Sequence, residues 1–282
     1  MTNDRTALLR VHDLTVRYSG KRRDQRASDR PAALDSFDLD LARGELVALV
    51  GESGAGKSTA GKALLGLLDH AVGDVDFDGV DVLRASRATW RRLRRRMQMI
   101  YQDPYDALDA RTTVSAVLIE PLSIHRLSPR ADRTAAITET LTRVGLTPAE
   151  DFAQRRIHEL SGGQRQRVCI AAALMLAPDL LVADEPVSML DVSVRVGVLD
   201  LLRRLADEGM AVLLVTHDLP TACHYSDRVI VMRGGRIVES GPTRALVESP
   251  TDPYTRDLLS AAPGKRASGG CVATAVVEAA AG

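Results

Sequence analysis

The sequence has no net charge, few cysteines and no long apolar run, and each shortage excludes a class of protein. Its 37 Lys and Arg residues balance 37 Asp and Glu residues, so bulk electrostatics give no argument for nucleic acid or for an anionic membrane surface. Any partner must be recognised by a local site. The cysteines Cys169, Cys223 and Cys271 are odd in number and lack C-x-x-C or other metal-ligand spacing. The expectation is reduced thiols of a cytosolic protein, not a disulfide framework or a cluster. Cys169 falls in an apolar helical stretch and reads as core. The longest apolar run, Val168 to Ala183, is broken by Pro178 and Asp179, whereas a membrane span needs about 20 apolar residues. Met1 to Leu9 is polar and offers no signal-peptide core. A soluble chain, still able to sit on a membrane protein, is expected. No internal repeat is visible.

What is present is enough for a substantial core, since 45% of the 282 residues are hydrophobic. The uninterrupted apolar runs Leu46 to Val50, Leu180 to Ala183 and Ala211 to Thr216 read as strands buried on both faces, as in a parallel sheet covered by helices. Leu8 to Tyr18 and Ala33 to Leu41 alternate instead, and the charged loop Lys21 to Pro31 between them suggests an antiparallel hairpin with a long connection. A second hairpin is expected where Val229 to Met232 and Arg236 to Glu239 flank Gly234-Gly235. Between 103 and 160 the periodicity is helical, notably in Val114 to Ile124 and Arg130 to Val144, which reads as a helical insertion into an α/β core. Residues 264–282, rich in Ala, Gly and Val, read as a loosely ordered tail.

The strongest chemical signal is Gly51-Glu52-Ser53-Gly54-Ala55-Gly56-Lys57-Ser58, placed between the strand Leu46 to Val50 and a helical segment from Thr59 to Leu68. Glycines let successive backbone N–H groups converge on one phosphate chain, and the helix N-terminus adds partial positive charge. Lys57 then reaches the β/γ-phosphates and Ser58 ligates Mg²⁺. The plain alternative, a Gly-rich connecting turn, leaves the G-x-x-x-x-G-K-S spacing unexplained. Such a site needs a carboxylate at a buried strand end, and Asp184 supplies it after Leu180 to Ala183. Glu185 follows; on an extended chain adjacent carboxylates diverge, so Asp184 faces the metal while Glu185 orients or deprotonates water. The alternative is an acidic helix cap.

His217, just past Ala211 to Thr216, has the same strand-end placement and can hydrogen-bond a γ-phosphate. Gln102, just past Met97 to Tyr101, can contact Mg²⁺ or its water from the mouth of the helical insertion. Leu160-Ser161-Gly162-Gly163-Gln164 precedes a helical run, Arg165 to Ala177, and forms a second anion-binding helix N-terminus. Two phosphate sites with one nucleotide loop are most simply explained if the second grips the nucleotide of another subunit. A simple Ser-Gly-Gly helix cap is the alternative.

Taken in order, these elements resemble the nucleotide-binding subunit of ABC transporters over roughly Leu8 to Pro263. The resemblance implies an α/β, P-loop NTPase (RecA-like) core with an amino-terminal antiparallel β-subdomain and an inserted α-helical subdomain at about 103–160, followed by the tail. It implies ATP and Mg²⁺ as ligands. Catalytic roles fall to Glu185, His217, Lys57 and Gln102, and metal contacts to Ser58, Gln102 and Asp184. Nucleotide contacts fall to Gly51 through Thr59, to the signature Ser161, Gly162, Gly163 and Gln164, to Asp191 of the loop Ser188-Met189-Leu190-Asp191, and to Tyr18 as the adenine-stacking aromatic. Gln102-Asp103-Pro104-Tyr105, Glu185-Pro186-Val187-Ser188, Asp191-Val192-Ser193-Val194 and Pro253 to Leu259 are similar to the oligopeptide/dipeptide importer branch, which includes nickel and opine systems. Met189 stands where Ala is usual in that branch, and Asp109-Ala110 where Asn-Pro is usual.

The implied partners are transmembrane permease subunits, a second nucleotide-binding subunit (a non-identical paralogue, or a second copy of this chain) and, indirectly, an extracytoplasmic solute-binding protein. The implied location is peripheral, on the cytoplasmic face of the cell membrane, with no nucleic acid involved. Tyr101, Tyr105 and Leu108 would line a groove for a short helix of the membrane partner, or simply pack internally. Two rivals are an ABC-type ATPase acting on DNA or ribosomes through Arg91-Arg92-Leu93-Arg94-Arg95-Arg96, and a P-loop kinase. The first expects long coiled coils or two ATPase units in one chain; the second leaves Ser161 to Gln164 and His217 without a role.

Overall fold

A computed structural model describes residues 7–18, 32–103, 107–127 and 133–260. The charged loop Lys21 to Pro31, Pro104 and Tyr105, Arg130, and the tail with Cys271 lie outside the described residues. Ten strands run in chain order: β1 (Ala7–Val16), β2 (Leu34–Ala42), β3 (Leu46–Val50), β4 (Ala71–Phe77), β5 (Val80–Asp81), β6 (Met97–Ile100), β7 (Leu180–Asp184), β8 (Ala211–Thr216), β9 (Arg228–Arg233) and β10 (Arg236–Pro242).

The apolar runs without alternation form the middle of a six-stranded sheet ordered β10-β9-β3-β8-β7-β6. Every residue of β3, β7 and β8 is buried, which is what strands covered on both faces require. Strands β9, β3, β8, β7 and β6 run parallel, and β10 closes the edge as an antiparallel hairpin turning at Gly234 and Gly235. Register places Val50 opposite Thr216, Asp184 opposite Val215 and Ile100 opposite Ala183. The carboxyl ends of four strands therefore share one edge, where ligands of open α/β sheets bind.

The alternating segments form the smaller sheet, ordered β2-β1-β4-β5. Strands β1 and β2 pair antiparallel as expected. Strands β4 and β5 were not read from the sequence, although their signal is there: Val75 and Phe77 are buried at alternate positions, and Asp78-Gly79 turns with φ of 53° and 80°, the left-handed pair of a tight hairpin. Phe37 and Phe77 are fully buried beside Leu9, Leu14 and Leu49, so the smaller sheet shares its core with β3. Burying each such side chain contributes about 1.5–3 kcal/mol.

Between β6 and β7 lie helices Val114–Ile124, Arg133–Arg143 and Ala149–Gln154, one 3-10 turn at Ile157–Glu159, and helix Gly162–Leu174. Leu118, Ile137, Leu141 and Phe152 pack there with Val168 and Ile170, and the cluster continues to Leu181 and Leu214 of the main sheet. The helix after the glycine-rich loop spans Lys57–Leu64, shorter than the Thr59 to Leu68 segment read from the sequence. Gly66, at φ +57°, stops it: Gly66 N donates to Ala63 O and Leu67 N to Lys62 O, the two bonds of a Schellman cap. The Trp90 ring lies where a Cβ on Gly66 would project.

Gly66→Ala should therefore destabilise the protein by about 2 kcal/mol, combining the left-handed backbone penalty with displacement of Trp90. Trp90 is the sole tryptophan, so urea unfolding followed by its fluorescence checks this, and an unchanged midpoint would refute it.

Candidate nucleotide-binding site

The glycine-rich loop leaves β3 at Gly51 and enters its helix through Gly56, whose φ of 99° and ψ of −1° are left-handed. A side chain on Gly56 would also strike the carbonyl of Ala33. The loop is pinned from outside: Gly235 N donates to Ala55 O at 3.0 Å, and Glu52 N donates to the Tyr254 hydroxyl at 3.1 Å. Tyr254 stands on helix Pro253–Ser260 with the Arg233 guanidinium 4.9 Å from its ring centroid. Sequence reading valued Pro253 to Leu259 only as a branch marker and missed this loop contact.

Lys57 is buried, and its ammonium donates to Gly51 O at 2.8 Å and Glu52 O at 2.9 Å. Burial pushes its pKa below the ordinary value, opposed by the charges of Glu185 and Asp184. Ser58 Oγ donates to Asp184 Oδ1 at 2.8 Å. Asp184 is 6% exposed. Burial raises its pKa; the Ser58 hydrogen bond and the charges of Lys62 and Lys57 oppose that, while Glu185 reinforces it. A buried carboxylate beside a hydroxyl presents the hard oxygen donors that suit Mg²⁺. Among the described residues no group of three or more His, Cys, Asp or Glu side chains could hold a metal.

Glu185 departs from the extended geometry expected of it. Its φ is +46°, and its N–H donates to Val215 O at 2.8 Å. The N–H thus still continues the β7–β8 ladder, while the backbone turns left-handed at this residue as the strand ends. A non-glycine residue in this region stores backbone strain of order 1–3 kcal/mol, a feature of functional sites. The Glu185 carboxylate accepts from Gln102 Nε2 at 3.2 Å and lies 3.4 Å from His217 Nδ1.

These groups line an open cavity of about 610 Å³ together with Tyr18, Ser53, Gly54, Gly56, Lys57, Ser58 and Thr59. Tyr18 is half-exposed at its rim, its hydroxyl 3.2 Å from Thr59 Oγ1. The signature residues are not among the lining groups. Helix Gly162–Leu174 starts three residues before the expected Arg165, so Gly162 and Gly163 lie in its first turn. Ser161 caps it, accepting from Gln164 N while the Gln164 side chain accepts from Ser161 N, a capping box. Asp191 is exposed at the N-cap of helix Val192–Asp207. A second cavity, of about 430 Å³, lies between Tyr101, Leu108, Trp90, Val117 and Ile124 and includes Cys169. Burial pushes the Cys169 thiol up to about 12.

The arginine cluster occupies helix Arg87–Arg96 and is partly engaged within the protein. Arg96 bonds Asp179 and Asp78, each at 2.5 Å, Arg91 donates to Ile124 O at 3.2 Å, and Arg94 lies over Trp90 at 6.0 Å.

A parallel sheet whose strand ends carry a glycine-rich loop, a strand-end aspartate and a following glutamate defines a P-loop nucleotide-hydrolysing enzyme. The ABC transporter family profile matches residues 34–188. The chain belongs to that family and carries its ATP-hydrolysing cassette. It is 46% identical over 259 residues to a Brucella ovis protein provisionally named a peptide import ATP-binding protein, covering 92% of this chain and 79% of that one. It is 46% identical over 264 residues to the glutathione import ATP-binding protein GsiA of Escherichia coli K12, covering 92% of this chain but 42% of GsiA. The chain thus spans less than half the length of that relative. Among solved structures, cbiO1 of Clostridium perfringens, part of the cbiONQ ABC transporter complex, superposes with a TM-score of 0.75 at 28% identity, covering 86% of this chain and 91% of that one. The MJ0796 ATP-binding cassette, a dimer in a post-hydrolysis state with ADP and Pi, gives 0.72 at 28%, covering 84% and 99%.

Asp184 is held with a raised pKa, so the folded state binds more protons than the unfolded one above the ordinary value of 3.8. Its contribution to stability falls as pH rises through that window and stays unfavourable above it. Asp184→Asn should therefore raise the nucleotide-free melting temperature at pH 7 while lowering ATP turnover by at least about 100-fold. Calorimetry beside a phosphate-release assay checks both; a lower melting temperature would contradict the first.

Proposed function

We propose that this chain is the ATP-hydrolysing subunit of a membrane importer for peptides or related small solutes. The observation that carries the reading is the strand-end cluster: Ser58 bonded to Asp184, Glu185 facing Gln102 and His217, and Lys57 buried behind the loop. Glu185 accepts the proton of an attacking water or orients it, His217 hydrogen-bonds the γ-phosphate, and Lys57 offsets negative charge on it. Ser58 and Asp184, with Gln102, would hold Mg²⁺, which when bound neutralises charge on the phosphates. Tyr18 offers its ring to the adenine.

The signature Ser161, Gly162, Gly163 and Gln164, together with Asp191, completes the site of a second nucleotide-binding subunit, either a non-identical paralogue or another copy. The cassette spans 8–263 with a helical subdomain at about 103–160, and the second cavity receives a short helix of a permease subunit. Among the described residues no helix is long and apolar enough to cross a membrane, which suits a peripheral subunit on the cytoplasmic face. The peptide class rests on relatives named for peptide and glutathione import; a solute-binding protein would deliver the solute. The internal engagement of Arg91, Arg94 and Arg96 favours transport over nucleic-acid binding.

Glu185→Gln should trap bound ATP and reduce steady-state hydrolysis to below about 3% of the unaltered protein. Hydrolysis above that level would remove Glu185 from the base role. Purifying a tagged copy from native membranes should recover permease subunits and a second ATPase. Recovery of ribosomes or nucleic acid alone would overturn the transport reading and leave the ATPase intact.

A further inference from the structure

One cationic side chain outside the nucleotide cavity ties together three elements that carry chemistry or surround it. Arg167 lies one turn beyond the signature on helix Gly162–Leu174, and its guanidinium donates to the carbonyl of Val144. Val144 ends helix Arg133–Arg143, where Gly145, at φ +75°, makes the terminating turn and Leu146 N returns to Leu141 O. Arg167 therefore supplies a donor and a positive charge to a helix C-terminus, where both are favoured. The other side of the guanidinium faces helix Val192–Asp207. A Cβ on Gly197 would stand 2.6 Å from Arg167 Nη2, and one on Gly145 would stand 2.8 Å from Nη1. The group fills a slot that two glycines leave open.

A second contact runs beside the first. Gly163 presses on the Val194 side chain so closely that a Cβ would overlap it. Gly163 and Arg167 are four residues apart on one helix, and Val194 and Gly197 three apart on the other, so both pairs share facing sides of the two helices. The signature helix and helix Val192–Asp207, with Asp191 at its N-cap position, are thus held at two successive turns. Arg167 fastens this pair to the end of helix Arg133–Arg143. Burial lowers the Arg167 pKa, Arg204 adds to that, and Asp200 opposes it; the ordinary value is so high that the group stays charged at neutral pH.

We propose that Arg167 is a positioning residue that fixes Ser161 to Gln164 and Asp191 as one body and joins that body to the inserted helices. It governs how a paired cassette uses ATP, and has no part in the first capture of nucleotide by the Gly51 to Ser58 loop. The inference rests on the sandwiched-ATP reading proposed above.

The test uses the full chain with Arg167→Met, which keeps bulk and loses the donors, Arg167→Lys, which keeps the charge and a donating ammonium but loses the planar fork, and Gly197→Ala, which displaces the guanidinium without altering it. A fluorescent ATP analogue reads nucleotide affinity of the dilute protein, steady-state hydrolysis reads kcat and KM, and light scattering in a Glu185→Gln background reads ATP-driven pairing. Arg167→Met should lower kcat at least about tenfold, with affinity and KM changed less than about threefold, and raise the ATP needed for pairing at least about tenfold. Gly197→Ala should move the same quantities in the same direction, and Arg167→Lys should recover part of the loss. If Glu185→Gln alone does not pair with ATP, the sandwich reading and this inference fall together. If it pairs, and Arg167→Met and Gly197→Ala pair and turn over like their parent, only the Arg167 role is overturned. Loss of analogue affinity equal to the loss of turnover would overturn it too, because a merely structural defect predicts that parallel fall.

Discussion

A buried ammonium and a buried carboxylate share one edge of the parallel sheet, and the rest of the site is arranged around keeping both there. Lys57 is satisfied by the carbonyls of Gly51 and Glu52, and Asp184 by the hydroxyl of Ser58. Burial works against the charge of each. Such charges are tolerated where geometry fixes their partners. Here the geometry comes from register: Val50 opposite Thr216 and Asp184 opposite Val215 leave no freedom to slide one strand end past another. The uncompensated part of that charge balance is what a magnesium nucleotide would supply, since phosphates answer the ammonium and the cation answers the carboxylate.

The opposite end of the sheet is fastened differently. Asp179, just before β7, meets Arg43 and Arg96, and both arginines reach Asp78 in the turn between β4 and β5. Burial pushes Asp179 up, but hydrogen bonds from the two arginines outweigh it and hold the carboxyl below its ordinary value. These side chains are one quarter to one half exposed, so each pair contributes at most about 1 kcal/mol. Their value is placement: the small sheet is joined to the base of the large one, away from the strand ends where nucleotide chemistry is expected. The small sheet can then present Tyr18, just past β1, to the cavity while Phe37 and Phe77 stay in the shared core.

Much of this was legible because local chemistry and global position coincide. Leu46 to Val50 is apolar on both faces because it is central, and Gly51 to Ser58 follows it because the loop belongs at a strand end. Where the two part company, sequence reading slipped. Glu185 reads as extended because a strand precedes it, yet its φ of +46° is left-handed although its N–H still pairs with β8. The signature helix reads as starting at Arg165, yet Gly162 and Gly163 already form its first turn, with Gly163 packed against Val194. The Tyr254 contact could not be read, since 202 residues separate it from Glu52. The β4–β5 hairpin was readable from Asp78-Gly79 and was overlooked: β5 has only two residues, and the seven of β4 mix glycine and aspartate with the apolar positions.

The placement of the signature follows from the same physics that built the loop. The first N–H groups of helix Gly162–Leu174 have no acceptor within the helix, and its dipole favours an anion there. The capping box occupies the Gln164 N–H with Ser161 Oγ; on the proposed reading the glycine amides of the first turn meet the ligand. None of these groups lines the cavity that contains Lys57. On the proposed reading the cavity and the signature are therefore two half-sites that one chain cannot unite, and a second subunit facing it in reverse unites both at once. Such pairing is self-limiting in the way a two-fold interface is, because each partner offers one loop and one signature. On that reading it would also tie hydrolysis to pairing, since the anion that Glu185 and His217 face would be fully enclosed only when two chains meet.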